Sequence, residues 1–327
     1  MKPSDFLLDS AIARYLTIQR ALGRRYVTEE RVLTSLCQFL HEQGFEDLEQ
    51  TGFETWCRSF AQLHANTRRG RHGIVRNFCL YRRRTEPNCF IPDLDRFPRL
   101  VPYRAPVILG PADIVKMLAA TAQITRTAKS PLKPAVMRLA VILLYTTGLR
   151  LGELVRLTLA DADALVGVLH IRESKFHKSR FLPLSADAQR ELNDYLKLRL
   201  AAPFSNAPNS PLLCHCTDKF RGYCVEGLGR VLRGIFRVAN VQSSDGRSPH
   251  VHDIRHSFAQ GALLRWYRQG ADVQSQLPKL ALYMGHVSIA STEYYLPLIP
   301  ELALEASNRF CSRYGAVVQP LCEGGAS

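Results

Sequence analysis

The stretch Leu139-Ala140-Val141-Ile142-Leu143-Leu144-Tyr145-Thr146-Thr147-Gly148-Leu149-Arg150-Leu151-Gly152-Glu153-Leu154 decides how this chain is read. An apolar run reaches from Leu139 to Tyr145, far short of the ~18–20 residues that a bilayer core requires, so it reads as a buried helix and not as a membrane span. The helix meets Gly148 and then, two residues on, Arg150. A guanidinium at the end of a buried helix is costly unless it points into a site or meets a carboxylate. Glu153, three residues later on the next helical turn, is placed to orient it.

Outward from this point the pattern is mainly helical, with one small antiparallel β-sheet. Helices are expected around 111–123 and 133–147, the first opened by Pro111, which suits a first helical turn. Val168-Leu169-His170-Ile171-Arg172 and Arg180-Phe181-Leu182-Pro183-Leu184 read as two strands joined by the polar loop 173–179. From 185 onward helices return, apart from a Pro/Asn/Ser loop at 203–211. The tail 316–327 is short, contains Gly and Pro, and reads as loose.

Residues 1–86 read as a separate helical domain of four amphipathic helices. Leu8, Ile12, Tyr15 and Leu16 form one stripe, stopped near Gly23; Val32, Leu33, Leu36, Phe39 and Leu40 form a second, stopped by Gly44. The third helix is expected over about 53–63 and the fourth over about 66–84. That fourth helix holds seven arginines and no acid between 67 and 84. Arg69, Arg76 and Arg83 are seven apart and share a face, with Ile74 and Phe78 nearly opposite. A solvated face normally intersperses acids among its bases; their absence makes Arg68, Arg69, Arg76 and Arg83 candidate contacts to a phosphate backbone. Six prolines between 87 and 111 then mark 87–110 as a basic, semi-extended linker, so that 111–315 is the second domain.

Composition narrows the function classes. The 327 residues carry 43 Lys+Arg against 29 Asp+Glu, a formal charge of +14, which favours a polyanionic partner. An apolar share of 46% excludes a disordered basic tail. Nine scattered cysteines without a CxxC pair, and an opening Met1-Lys2-Pro3-Ser4-Asp5 lacking the apolar core of a secretion signal, lead us to expect a cytoplasmic chain with reduced thiols.

Five clusters in the second domain carry chemistry. They are Arg150 with Glu153; Lys175 in the hairpin loop; Pro249-His250-Val251-His252-Asp253-Ile254-Arg255-His256; Gly285-His286; and Tyr294-Tyr295. His252 and Arg255 are i, i+3 and share a helix face, from which they address one phosphate together. In order and spacing these clusters resemble the tyrosine recombinase (phage integrase) family of site-specific DNA recombinases. The resemblance covers about 110–310 and rests on TGLRxGEL around Arg150, HxxRHSFA from His252 and GHxSxxST-x-x-Y from Gly285. Over 6–86 it is one of architecture only, a helical core-binding domain ahead of a catalytic one.

The resemblance implies Arg150, Lys175, His252, Arg255, His286 and Tyr295 as the catalytic set, with Glu153 in support. Tyr295 would attack phosphorus and leave a 3′-phosphotyrosyl link and a 5′-hydroxyl, with no metal, cofactor or ATP. The chemistry suits these residue types. Planar guanidinium forks stay charged and bind two non-bridging oxygens, and His252 and Lys175 suit proton transfer. Tyr294 is a rival nucleophile and Lys178 a rival acid, while the nine-residue spacing from His286 favours Tyr295. His256 reads as a structural partner. Partners implied are paired double-stranded DNA sites, a tetramer formed on DNA, and accessory DNA-bending or partner recombinase proteins.

Other readings fare less well. Cys214-His215-Cys216 lacks the spacing of common zinc sites, and no acid cluster accompanies the bases as a two-metal nuclease would require. A type IB topoisomerase-like activity shares the covalent step, and a non-catalytic DNA-binding factor shares the fold. Two departures are visible: 33 residues separate His252 from His286, a length that resembles recombinases of mobile elements, and Ile254 stands where Leu is usual. The helix expected after Pro300 docks either on its own protomer or on a neighbour.

Overall fold

The computed structural model describes residues 7–102, 104–172, 179–216, 221–285 and 311. The chain divides between Arg104 and Ala105 into two compact units.

In the first unit, α1 (Leu7–Ala21) and α2 (Val27–Glu42) bury the stripes expected of them, Leu8, Ile12, Tyr15 and Leu16 against Leu33, Leu36 and Leu40. α3 (Gln50–Ser59) inserts Phe53 and Trp56, and α4 (Ala65–Arg82) adds Val75, Phe78 and Cys79 to the same core. α3 ends sooner than its sequence suggests. Phe60 leaves helical geometry and packs its ring edge-on against Trp56, centroids 4.6 Å apart.

The proline-rich stretch divides between the two units. Residues up to Val101 are strapped to α4: Asn66 Nδ2 donates to the Val101 carbonyl at 2.8 Å, the Val101 N–H donates to Asn66 Oδ1 at 2.9 Å, and Arg69 donates to the Pro98 carbonyl at 3.0 Å. Arg76 donates to the Pro92 carbonyl. Phe97 is buried against the ring of His72. A proline-rich stretch leaves its carbonyls without a regular ladder to join, and Arg69, Arg76 and Asn66 of α4 supply the missing donors.

Arg82 does not face outward with its neighbours. Its side chain is 5% exposed and donates to both oxygens of Asp47, at 2.7 and 2.9 Å, and to Glu86. A run without acids in sequence thus finds one across the fold, Asp47, and a second just past its own end, Glu86.

In the second unit, Val107 and Leu109 are buried, and the Leu109 N–H donates to Ser257 Oγ at 2.8 Å. α5 (Pro111–Ala122) starts at the proline. α6 (Lys133–Thr147) buries Val136, Met137 and every residue from Leu139 to Leu144, the mark of a helix covered on all sides. It lies among α5 and the later α8 (Ala186–Ala201) and α10 (Val251–Arg268). Gly148 ends it at φ +62°, where a Cβ would lie 2.4 Å from Phe258; glycine is required there twice over. α7 (Leu151–Leu154) follows at once.

The sheet is antiparallel in the order β1 (Ala162–Asp163), β2 (Val168–Ile171), β3 (Arg180–Pro183). Leu169 pairs with Leu182, and both are buried with Ile171 on the core face. β1 is too short to leave a pattern in the sequence. A two-stranded ribbon, β4 (Cys214–Cys216) and β5 (Arg221–Gly222), leads to α9 (Val225–Val238). α10 and α11 (Val273–Met284) close over a smaller core of Leu263, Leu277 and Met284.

Candidate active site

The end of α6 delivers Arg150 to the first position before α7. Its own N–H donates to Glu153 Oε2 at 3.0 Å, and its Nη1 donates to Glu153 Oε1 at 2.9 Å. One carboxylate therefore caps the short helix and holds the guanidinium, as the i, i+3 spacing predicts. On its other side Arg150 Nη2 donates to the Gly285 carbonyl at 2.9 Å. The Arg150 side chain keeps about a quarter of its surface in solvent (27%), while that of Glu153 keeps 2%.

α10 delivers the second cluster. The His250 N–H donates to Asp253 Oδ2 at 2.8 Å, which starts the helix so that His252, Arg255 and His256 fall in its first turns. Arg255 is buried; it donates to the Gly148 carbonyl and, at 2.8 Å, to the Met284 carbonyl. Arg150 and Arg255 thus bond to adjacent carbonyls, Gly285 and Met284, and arrive side by side from distant parts of the chain. The His252 and His256 rings meet edge-on at 4.9 Å.

Charges in this cluster act on one another. Burial raises the Glu153 pKa, but the hydrogen bonds and charge of Arg180, with Arg150 behind them, outweigh it and hold the carboxyl at about 2. Burial among neighbouring atoms lowers the His252 pKa, and the charges of His256, Arg255 and Arg150 lower it further, to about 4. His252 still shows solvent an exposed face, so the direction is what governs its chemistry: the free protein holds a neutral imidazole at pH 7. His256 is lowered by burial and by Arg255.

Of the residues expected in the site, Arg150, Glu153, His252 and Arg255 come together. Lys175, Lys178, His286, Tyr294 and Tyr295 lie outside the described residues. Arg68, Arg69, Arg76 and Arg83 belong to the other unit, where Arg69 and Arg76 each hold a strap carbonyl and Arg83 is exposed. Cys214 and His215 lie on β4, His215 against the Tyr223 ring at 4.7 Å. Among the described residues, no three His, Cys, Asp or Glu side chains gather as metal ligands.

One residue was passed over in the sequence. Arg180 opens β3 and grips Glu153 with both Nη atoms, at 3.1 and 3.0 Å. The period-2 alternation of a strand carried the signal: Arg180 lies on the same face as Leu182, the face that packs inward.

Two arginines on one buried carboxylate, a third beside them and a neutral imidazole thus gather in the second unit of a mainly helical fold. A profile of the Phage integrase family matches residues 111–300, and the chain belongs to that family. It is a tyrosine-type site-specific DNA recombinase, which acts through a phosphotyrosyl intermediate. Among its relatives, a protein named as an integrase/recombinase, y4rB, from Sinorhizobium fredii (strain NBRC 101917 / NGR234) is 32% identical over 93% of this chain and 97% of its own. The tyrosine recombinase XerD of Brucella abortus is 31% identical over 60% of each chain. In fold, the chain is similar to the Tn1549 transposon integrase in complex with transposon right end DNA (TM-score 0.64, 16% identity, 94% of this chain and 99% of that one). It is also similar to the lambda integrase dimer bound to a core site (TM-score 0.60, 15% identity, 88% and 76%). Among the described residues no helix is long and apolar enough to cross a membrane.

Proposed function

We propose that Arg150 and Arg255 hold the non-bridging oxygens of one scissile phosphate while Tyr295 attacks it. The observation that supports this most is the convergence of the two guanidiniums on the adjacent carbonyls of Met284 and Gly285, one residue before His286 in the chain. In the step, the Tyr295 oxygen bonds to phosphorus, its proton passes to the neutral His252, and the bond to the 5′ oxygen breaks. Lys175 protonates that oxygen as it leaves, and His286 adds a hydrogen bond to the phosphate. The phosphodiester energy stays in the tyrosyl link, so a second DNA end rejoins without ATP. Glu153 serves the reaction by fixing Arg150.

The arginines of α4 and Arg83 at its C-terminal cap supply sequence-independent grip on the DNA backbone, Arg83 foremost because it is exposed, together with Arg68, Arg69 and Arg76. Chain units 1–86 and 111–315 act as core-binding and catalytic domains in the cytoplasm, on the paired ends of a mobile element. Four protomers assemble on DNA; lambda integrase, similar in fold, has been seen as a tetramer on a Holliday junction.

Covalent trapping tests the assignment. Wild-type protein incubated with fragmented genomic DNA and quenched in detergent should give a DNA–protein adduct whose sequence reveals the site, and Tyr295→Phe should still bind that DNA but form no adduct. An adduct that persists in Tyr295→Phe and vanishes in Tyr294→Phe moves the nucleophile by one residue. No adduct on any DNA favours a non-catalytic binding factor. Strand exchange between two marked duplexes separates recombination from topoisomerase-like relaxation.

A further inference from the structure

Three consecutive carbonyls end α11, and each accepts a hydrogen bond from a different arginine. Tyr283 takes Arg180 Nε at 2.9 Å, Met284 takes Arg255 Nη2 at 2.8 Å, and Gly285 takes Arg150 Nη2 at 2.9 Å. The last carbonyls of a helix have no partner within it and sit at the negative end of its dipole, so cations belong there. Two of these arginines are those assigned to the phosphate. The third, Arg180, has no part in that assignment, yet it touches both supports on which Arg150 rests. With its two Nη atoms it holds Glu153, whose Oε1 receives Arg150, and with Nε it holds the turn whose next carbonyls receive Arg255 and Arg150.

The geometry uses all three nitrogens of one planar fork. A lysine ammonium carries the charge but cannot span a carboxylate and a carbonyl in one rigid plane. Gly285 leaves room for the fork: at φ +68° it carries no Cβ, which would otherwise lie 2.7 Å from Arg180 Nη1.

We propose that Arg180 is a positioning residue for strand cleavage, fixing the guanidinium of Arg150 through Glu153 and through the last turn of α11 without itself touching the phosphate. This rests on the reading of Arg150 as a phosphate ligand. Misplacing a reacting or stabilising group by about 1 Å is enough to cost on the order of 10²-fold in rate.

The test uses full-length protein and a nicked suicide duplex carrying the site recovered by covalent trapping with wild type. Duplex affinity, single-turnover rate of adduct formation and melting temperature are measured for Arg180→Lys, Arg180→Met, Arg150→Lys and the two double variants. The expected result is affinity within about 3-fold of wild type and adduct formation slowed about 10- to 100-fold by either Arg180 substitution, with less than about 3-fold further loss when Arg180→Lys is added to Arg150→Lys. Arg180→Lys keeps the charge, so it carries the cycle if Arg180→Met does not fold. Wild-type rates in the Arg180 variants overturn the proposal. So does a full, multiplied loss on top of Arg150→Lys, which marks a role independent of Arg150. A wild-type protein that forms no adduct overturns the reading beneath it, and does so before any variant is compared.

Discussion

His252 shows how a single residue takes its chemistry from its neighbours. The imidazole is pressed below its ordinary value, to about 4, by burial, by the neighbouring His256 and by the charges of Arg255 and Arg150. An unfolded chain would hold the same group near the usual ~6.5. Between these values the unfolded state binds more protons, so the contribution of His252 to stability is complete above about pH 6.5 and declines as pH falls towards 4. Denaturant titrations from pH 7.5 to 4 should show wild type losing stability over this window and His252→Gln losing less of it. When a phosphate enters between the arginines, its charge offsets theirs. The His252 titration midpoint, followed by NMR of the imidazole, should rise on binding of a site duplex. Glu153 has the opposite logic: held at about 2, it contributes stability above the ordinary carboxylate range that is lost only as pH falls towards 2. The Arg150–Glu153 pair was legible at i, i+3. Of the groups that set the His252 pKa, Arg255 was legible at i, i+3 as well; local spacing does not show that Arg150, about a hundred residues away in the chain, also acts on it.

At the scale of elements, the joint between α6 and α7 fixes the site. Gly148 combines a positive φ with a Cβ position 2.4 Å from Phe258. Gly148→Ala should therefore destabilise the protein by about 2–5 kcal/mol, combining left-handed strain of ~1–2 with overpacking of ~1–3 kcal/mol, as read from equilibrium denaturation. The basic helix α4 divides into different kinds of arginine. Arg82→Leu should cost about 2 kcal/mol of stability, below the ~3–5 kcal/mol of a fully buried pair because Asp47 and Glu86 remain half in water, and should leave DNA affinity unchanged. Arg83→Ala should leave stability unchanged and lower the salt dependence of DNA binding by about one counterion, measured as the slope of log K against log salt. The heptad spacing of Arg69, Arg76 and Arg83 revealed a shared face. It did not reveal that the first two bond to the strap at Pro98 and Pro92, since a proline-rich stretch carries no periodicity that tells where it will lie.

At the scale of the whole molecule, two continuous pieces of chain, divided between Arg104 and Ala105, each bury their own core, the second with a smaller one beside it. Each has its own buried leucines and aromatics, so fragments 1–104 and 105–327 should each unfold cooperatively on their own, as checked by the denaturant dependence of their helical circular dichroism. The proline count placed a separation over 87–110. The division falls late in that stretch because Phe97 and Val101 find partners on α4, while Val107 and Leu109 find theirs in the second unit.

The sequence by itself determined the helical stripes, the strand pair, the glycine stop before Arg150 and the order of the catalytic motifs. All of these are local: periods of 3.6 and 2, and spacings within a turn or two of helix. Arg150 and Arg255 were expected at one site from the order of the motifs; only the tertiary structure brought Arg180 to them. Arg150, Arg180 and Arg255 come from a helix start, a strand and a helix interior, and converge because the orphan carbonyls of Tyr283, Met284 and Gly285 and the buried carboxylate of Glu153 needed donors once water was excluded. The same need drew Arg82 inward to Asp47 and left Arg83, its neighbour in sequence, exposed. Desolvation acts on atoms brought together by folding, and one-dimensional spacing does not encode it.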